Sequence, residues 1–254
     1  MRVKLPFLIN KHEKVEHLKK PKERENDVGV LKILRDNIRK YKPNEFQMGY
    51  EDGFSLFSAV ITGHTECIEK HIKRNPQCLN KKNDKGWTPL MYSLAQGCSD
   101  GTSILLKAGA DLTTLNNDRM TALGLGASYG HRSTLRNFLK HCRELKGAVG
   151  VMKMANTRDG NGRIPLHYAA ENRQWEACEV LLHYGSNPNV RDNAGDTPML
   201  LACASQNSPT IRAIFTKGGD PHIANNLGKT GYSVLHEKRK YLVEEGAKTK
   251  GRKV

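Results

Sequence analysis

Two glycine-rich stretches of this sequence contain the residue types that bind phosphates or carry out catalysis. DGNGR at 159–163 leads into a segment that contains His167, and GLGASYG at 124–130 satisfies a loose glycine pattern for dinucleotides. Backbone N–H groups of a glycine-rich loop can hold a phosphate, and a histidine can serve as a general base or a metal ligand. Whether these residues form a site depends on the elements that position them.

The surroundings of both stretches recur along the chain at a nearly fixed interval. Thr88 in GWTPLMYSLAQG has later equivalents at steps of 33, 43, 33 and 33 residues, and Phe54 lies 34 residues before it. The later equivalents are Thr121, Ile164, Thr197 and Thr230. Self-similarity with this period predicts a stack of helical repeats.

This register assigns both glycine-rich stretches to the repeated frame. DGNGR coincides with a turn that every unit has, and GLGASYG falls inside the first helix of the third unit, without the strand that precedes a dinucleotide-binding loop. No HxxxH, CxxC or zinc-finger spacing is present in the sequence. No nucleophile, base and orienting group occupy corresponding positions. We therefore expect a non-catalytic chain with no catalytic residue, no cofactor and no metal.

Each unit predicts two short helices joined by turns. The threonine position is expected to cap the first helix, and the proline that follows it in three units fits the first helical turn. Glycines are expected to close the turns and to end the second helices in the left-handed conformation. The turn glycines are Gly86, Gly162, Gly195 and Gly228, and the helix-ending glycines are Gly109, Gly185 and Gly218. In the third unit Arg119 stands where the turn glycine is expected.

These units resemble ankyrin repeats, whose pattern runs through a turn, TPLHxAA, a paired-leucine helix and GADxN. The segments 84–116 and 159–191 match this pattern closely. The resemblance implies an all-α fold, an ankyrin-repeat solenoid of stacked helix-turn-helix units with β-turn or hairpin loops. It also implies that His167 forms hydrogen bonds in the turn rather than performing chemistry.

The register divides the chain into a repeat region with a basic segment on either side. Residues 1–50 form an N-terminal extension with a capping helix near 28–40, and residues 246–254 form a tail. The third repeat carries ten extra residues (a step of 43 rather than 33) near 141–153. They lengthen its second helix or the following loop. They either form a partner-specific contact or are an insertion without a role in binding. The expected repeats are 51–83, 84–116, 117–158, 159–191, 192–224 and a truncated cap at 225–245.

The formal net charge of +15 is concentrated at the two ends of the chain. Residues 1–42 hold 13 Lys and Arg against 6 Asp and Glu, and residues 236–254 hold 7 against 3, so the body is nearly balanced. KKPKER at 19–24 and KTKGRKV at 248–254 are compatible with nuclear-import signals, with weak binding of acidic partners or nucleic acid, or with solvated ends. Neither interleaves aromatic with basic residues, so nucleic acid is not the expected partner.

Hydropathy and cysteine usage predict the compartment. No stretch approaches the roughly 20 apolar residues of a membrane helix, and the first residues contain only the short apolar run PFLI. The six cysteines are scattered, which is typical of small buried side chains in a reducing compartment. We therefore expect an intracellular protein, cytoplasmic or nuclear, without membrane insertion and monomeric by itself.

The resemblance places partner binding on the concave face, which is formed by turn tips and first helices. Trp87, Met120 and Tyr129 are large side chains from adjacent units and have the composition of an interface hot spot. Alternatively, Trp87 packs only against its own turn. Trp87 and Met120 each stand directly before the cap position of their unit, and the same row continues with charged residues, which are interpreted as a polar rim or solvated face: Arg163, Asp196 and Lys229. The remaining candidates are Gln96, Glu171 and Asn172.

Together these features predict a protein-protein interaction module that binds a protein partner as an adaptor, scaffold or inhibitor. The alternative is a nuclear or nucleic-acid-associated regulatory protein that works through its basic flanks. In addition, Asn189 in GSNPNV resembles the asparagine that oxygen-dependent hydroxylases modify in ankyrin repeats, with Leu181 eight residues before it.

Overall fold

The structure is a computed structural model, and it describes residues 55–244. The N-terminal extension at 1–50, its expected capping helix near 28–40 and the tail at 246–254 lie outside the described residues. Two 3₁₀ segments, Pro76–Asn80 and Glu237–Arg239, accompany the α-helices. In chain order the α-helices are α1 (Leu56–Thr62), α2 (Thr65–Arg74), α3 (Pro89–Gln96), α4 (Ser99–Lys107), α5 (Ala122–Tyr129), α6 (Arg132–Ala155), α7 (Pro165–Glu171), α8 (Trp175–His183), α9 (Pro198–Ala204), α10 (Ser208–Thr216) and α11 (Gly231–Val234).

The helices form two layers of a linear stack. Each helix packs against its partner within the unit and against the equivalent helix of the next unit. The first helices of the units, from α1 to α11 in odd numbers, form one layer, and the even-numbered helices form the other. This is the arrangement of an ankyrin solenoid, as predicted, because neither layer buries its apolar side chains without the neighbouring unit.

Threonine side chains begin the first helices, as predicted. The Thr88 hydroxyl accepts a hydrogen bond from the Met91 N–H at 3.3 Å. The same bond, to the N–H three residues later, is made by Thr121, Thr197 and Thr230. Each bond satisfies one of the N–H groups that the first turn of a helix leaves without a backbone acceptor.

The predicted register of the first unit was wrong by one residue. Ser55 rather than Phe54 caps α1, because the Ser55 hydroxyl accepts from the Ser58 N–H at 3.2 Å. With this register Leu56 and Phe57 lie in the core, and the interval to Thr88 becomes 33 residues, as in most of the stack.

Small residues allow the first helices to approach each other closely. A Cβ atom on Gly126 of α5 would lie 3.2 Å from Cβ of Leu94 in α3, so no larger residue fits there without a shift. Leu90 and Leu94 are almost completely buried. A leucine buried in this way contributes about 1.5–3 kcal/mol relative to an exposed one.

Backbone hydrogen bonds between turns join successive units. The Asn117 N–H donates to the Lys85 carbonyl at 3.1 Å, and the Asn193 N–H donates to the Asn161 carbonyl at 3.2 Å. Gly86 has φ 71°, as predicted for a turn glycine, and a Cβ there would lie 2.5 Å from the Asn117 side-chain oxygen. Both its backbone conformation and the neighbouring unit therefore require glycine.

The third unit makes its turn without glycine. Arg119 adopts φ 63°, and its carbonyl accepts a bond from the Gly160 N–H of the next unit at 3.3 Å. A left-handed conformation costs about 1–2 kcal/mol for a residue with a Cβ atom. The inter-unit packing is therefore strong enough to impose the turn on an arginine.

The ten extra residues of the third repeat lengthen its second helix. Helix α6 has 24 residues, against 9 in α8, and 141–153 lies within it. Gly147 interrupts the helix with φ 70° and ψ 176°. After this break Val151 and Ala155 are buried, so the final turns pack against the stack.

The last described residues close the apolar side of the final unit. Leu242 and Val243 are buried, and the Tyr232 hydroxyl donates to the Glu244 carboxylate at 2.8 Å. None of the helices within 55–244 combines the length and the apolarity that crossing a bilayer requires.

Two turns that differ in their central residue test the glycine requirement. Arg119→Gly is expected to have an unfolding free energy about 1 kcal/mol higher than Arg119→Ala, because only glycine accepts this backbone conformation without strain. Gly86→Ala should lower the unfolding free energy by more than about 1 kcal/mol, since it adds strain and a clash with Asn117. Urea denaturation followed by circular dichroism measures both changes. Equal stabilities of the two Arg119 variants would contradict this interpretation.

Candidate protein-binding site

Trp87 gathers aromatic side chains from three units into one cluster. Its ring centroid lies 4.9 Å from that of Tyr92 in the same unit and 6.4 Å from that of Tyr129 in the next unit. Tyr92 in turn meets Phe57 of the first unit edge to face at 5.6 Å. We call Phe57, Trp87, Tyr92 and Tyr129 the aromatic cluster.

Of the predicted Trp87, Met120 and Tyr129, the structure places the two aromatic residues in contact, and it adds two members that sequence reasoning missed. Trp87 packs against its own unit through Tyr92 and against the next unit through Tyr129, so it does not pack against its own turn alone, and the interface stays a prediction. Tyr92 lies four residues after its cap, and Tyr168 occupies the same position two units later. This recurrence was the available signal for Tyr92.

Trp87 and Tyr129 contribute the polar atoms of the cluster that lie nearest its half-exposed rings. Trp87 and Tyr129 are both half-buried. Burial raises the pKa of Tyr129, so its hydroxyl stays uncharged near neutral pH and can donate or accept a hydrogen bond. The Trp87 Nε1–H is buried without an acceptor in the described structure. A buried donor left unpaired costs about 1–3 kcal/mol.

At each candidate that directly precedes a cap position, as Trp87 does, the backbone N–H donates to an Asn or Asp side chain of the same turn. The Asn83 side-chain oxygen accepts from the Trp87 N–H at 2.8 Å, and the equivalent bond reaches Arg163 from Asp159 at 3.0 Å. The other members of this set are Asn116 with Met120, Asp192 with Asp196, and Asn225 with Lys229. These Asn and Asp residues were missed, although each lies five residues before a cap.

Arg163 is the centre of a charged network rather than an isolated rim residue. Its guanidinium donates to the carboxylates of Asp192 at 3.0 Å and Glu171 at 2.6 Å, and its Cζ lies 5.5 Å from the centre of the Tyr168 ring. Burial and a hydrogen bond to Asp159 raise the pKa of Tyr168 to about 12. The network orients Arg163 and Glu171 along the face on which the aromatic cluster lies one to three units earlier.

The remaining candidates occupy defined positions on the same face. The Asn172 amide donates to the Ser128 hydroxyl at 2.9 Å and thereby joins two units. The Asp196 carboxylate accepts from the Asn225 amide at 2.7 Å. Met120 and Gln96 are half-buried, and Lys229 is exposed.

His167 links two turns instead of offering a catalytic nitrogen. Its Nδ1 accepts from the N–H of Ile164, the residue at the cap position, at 3.1 Å, and its Nε2 lies 3.1 Å from the Asp196 carbonyl. With Nδ1 accepting, Nε2 carries the proton and donates. Burial lowers the pKa of His167 and favours this neutral form. The hydrogen-bonding role implied by the family resemblance is therefore confirmed.

Asn189, the candidate hydroxylation site, lies between two units with its amide engaged on both sides. Its Nδ2–H donates to the Gly218 carbonyl at 3.0 Å, and its oxygen accepts from the Asp220 N–H at 2.8 Å. A hydroxylase would have to open this inter-unit contact, so Asn189 stays a hypothesis that depends on local unfolding.

The DGNGR turn uses its N–H groups internally. The Asn161 and Arg163 N–H groups donate to the Asp159 carboxylate, and the Gly162 N–H donates to the Asp159 carbonyl. Among residues 55–244, no group of three His, Cys, Asp or Glu side chains is arranged to hold a metal ion. Burial raises the pKa of Cys142 and Cys203 to about 12, so these thiols stay protonated and weakly nucleophilic.

Replacing Arg163 tests the charged network. Arg163→Ala is expected to lower the unfolding free energy by about 1–3 kcal/mol, because the buried Asp192 carboxylate loses its charged donor. Lys229→Ala, at the same register position but exposed, should change it by less than about 0.5 kcal/mol. Chemical denaturation of both variants measures the difference. Similar effects of the two substitutions would show that the network does not support the fold.

The pH dependence of stability tests the state of His167. Because the folded pKa is below that of the unfolded chain, near 6.5, the unfolded state takes up the proton first as the pH falls. The stabilisation that wild type gains over His167→Gln should be complete above about pH 7.5 and shrink below about 6.5. Urea denaturation between pH 5 and 8 measures this, with His183→Gln, an exposed histidine, as the matched control. A pH-independent difference would contradict a neutral buried imidazole.

Comparison with known families identifies the repeated unit. A family model described as ankyrin repeats in three copies matches residues 24–116 and 112–192, which together are more than half of the chain.

Individual relatives share the same region. An E3 ubiquitin-protein ligase by name, XBAT31 of Arabidopsis thaliana, is 32% identical over 54% of this chain and 30% of its own length. An ankyrin repeat protein by name from Rickettsia bellii is 34% identical over 36% of this chain and 57% of its own. Inversin of Gallus gallus is 29% identical over 51% of this chain and 11% of its own. The chain thus covers between about a tenth and somewhat over half of the length of each of these relatives. The matched region, the two-layer stack and the capped turns show that the chain belongs to the ankyrin repeat family, whose repeats are generally protein-protein interaction modules.

Proposed function

We propose that this chain is a non-catalytic adaptor, scaffold or inhibitor that holds a protein partner on the face formed by its turn tips and first helices. This face is concave in ankyrin solenoids and presents variable side chains on a constant backbone. The aromatic cluster is the centre of the contact. Relatives named as enzymes match over a minor part of their length, so their activities are not carried over to this chain.

The observation that carries the proposal is the contact between Trp87 and Tyr129 across two units. Interfaces concentrate their binding energy in a few central Trp, Tyr and Arg residues. Here two such rings are held together at 6.4 Å and are half-buried. The Asn83 side chain fixes the backbone of Trp87, and Tyr129 is the last residue of α5. Pre-organisation of this kind reduces the entropy that association would otherwise lose.

The polar atoms indicate what the partner presents. The Trp87 Nε1–H is covered in the described structure, so a partner is expected to contact the half-buried rings rather than this donor. An apolar side chain beside a group that forms a hydrogen bond with the uncharged Tyr129 hydroxyl would fit this surface. The network of Arg163 with Asp192 and Glu171 then forms an ordered charged rim that favours one orientation of the partner.

The second candidate function is a nuclear or nucleic-acid-associated regulatory role of the basic flanks. It is favoured by the concentration of positive charge in 1–42 and 236–254. Binding to phosphates falls steeply with salt, whereas binding through an aromatic centre changes little. The two functions therefore predict different responses to ionic strength.

The test is partner capture from cells with substituted full-length chains, quantified by mass spectrometry. Trp87→Ala/Tyr129→Ala should lose specific partners by about tenfold or more, because the double substitution removes the centre of the interface. Trp175→Ala is the matched control, since this other tryptophan lies on α8 and is 39% exposed. It should leave capture unchanged.

A charge-neutralised chain separates the two functions. Glutamine replaces the basic residues of 19–24 and 248–254, which avoids truncating 236–244, where Leu242 and Val243 are buried. Loss of capture in this chain, together with full capture by the double alanine variant, would exclude the aromatic interface and support the flanks. Circular dichroism of each variant verifies that the stack still folds.

A further inference from the structure

Helix α6 exposes an apolar surface that the stack does not use. Leu145, Val149 and Met152 are 63%, 62% and 45% exposed. All three lie in the ten-residue lengthening of the third repeat, on either side of the break at Gly147. We call these three residues the α6 patch.

The patch belongs to a fixed part of the fold. Val151 and Ala155, on the same turns as Met152, are buried. The Asn156 amide, which follows the helix, donates to the Gly185 carbonyl of the next unit at 2.8 Å, and a Cβ on Gly185 would lie 3.0 Å from Cγ of Met152. The exposure of the patch is therefore a property of the packed structure, because the helical turns that carry Met152 are held against the stack.

The first half of the lengthened helix is also held against the stack. Leu139 and Cys142, which precede the patch, are buried, and α6 packs against α4 of the second unit and α8 of the fourth. The patch is therefore preceded and followed along α6 by residues that are packed in the fold.

Basic side chains surround the patch. Residues 140–153 contain four Lys and Arg against the single acidic residue Glu144. All four basic residues, Lys140, Arg143, Lys146 and Lys153, are exposed. We call these four the basic rim. Long basic side chains around an apolar centre match a partner that carries acidic groups beside apolar ones.

We propose that the α6 patch and its basic rim dock an acidic amphipathic helix of a partner protein. A second copy docked through the same patch does not fit the charge requirement, because it brings the same basic rim. An anionic membrane is a poorer fit, since interfacial helices insert Trp, Phe or Leu over a long face. The patch has one leucine and no aromatic residue, and the exposed Glu144 adjoins it.

This second docking surface is independent of the aromatic cluster. The cluster lies on first helices and turn tips, whereas the patch lies on a second-layer helix. A partner bound at one surface leaves the other accessible, so the chain can join two proteins. That arrangement is an adaptor in the physical sense, with two contacts of different chemistry.

The probe is a random-peptide library selected on the full-length chain, with subtraction on Leu145→Ser/Val149→Ser. These residues are more than half exposed, so the double variant should fold, and circular dichroism verifies this. We expect peptides retained only by wild type, with Asp or Glu beside apolar residues at spacings of three and four. The enriched peptide is then titrated by fluorescence anisotropy.

The enriched peptide should bind the double serine variant at least about tenfold more weakly than wild type. The same peptide should bind Lys140→Glu/Arg143→Glu/Lys153→Glu about tenfold more weakly at low salt, with a smaller difference at high salt. Two matched controls should bind it like wild type: Leu227→Ser, which removes an exposed leucine elsewhere, and Trp87→Ala, which removes the aromatic centre.

Three results would overturn the proposal. The first is the absence of peptides that depend on the patch. The second is enrichment of neutral or basic peptides. The third is flotation of wild type, but not of the double serine variant, with phosphatidylserine vesicles, which would make the patch a membrane contact. Loss of peptide binding in Trp87→Ala would instead show that the two surfaces are one site.

Discussion

From the second unit onward, the stack depends on the closure of each turn from two sides. Inside the turn an Asn or Asp side chain accepts backbone N–H groups, as Asn83 does from Lys85 and Trp87. Outside it, the next unit bonds to the turn carbonyls and fills the space that a Cβ atom would need at Gly86. The turn is therefore complete only in the stack, which explains why stability in such proteins comes from neighbours.

The same closure decides what the molecule can do chemically. The N–H groups of DGNGR are satisfied within their turn or, for Gly160, by the Arg119 carbonyl of the preceding unit. Both nitrogens of His167 are occupied by backbone groups. The N–H groups that resemble a phosphate-binding loop and the imidazole that resembles a catalytic base therefore form the hydrogen bonds that hold the turns together. What remains variable is the side chain at each position whose N–H bonds to the Asn or Asp of the turn, such as Trp87 or Arg163, and the surface added by α6. Recognition by side chains on a constant backbone is the chemistry that the fold leaves available.

Much of the frame was predictable because it repeats. The 33-residue register located the threonine caps, the left-handed glycines and the helix that contains Gly124 and Gly126. It failed by one residue at Ser55, where neither the cap nor the following residues match the repeated pattern. It also missed the Asx residues, which recur as reliably as the threonines but were concealed by the alternation of Asn and Asp.

The sequence by itself determined the repeat, the order of the helices and the candidate row from Trp87 to Lys229, because these follow from local rules of capping and spacing. Only the tertiary structure decided which members of the row meet. Trp87 contacts Tyr129 since consecutive units stack, whereas Arg163 is bound by Asp192 of the following unit and Glu171 of its own. The exposure of Leu145 and Val149 was likewise decided there, because helical spacing shows which residues share a face but not whether another element covers it.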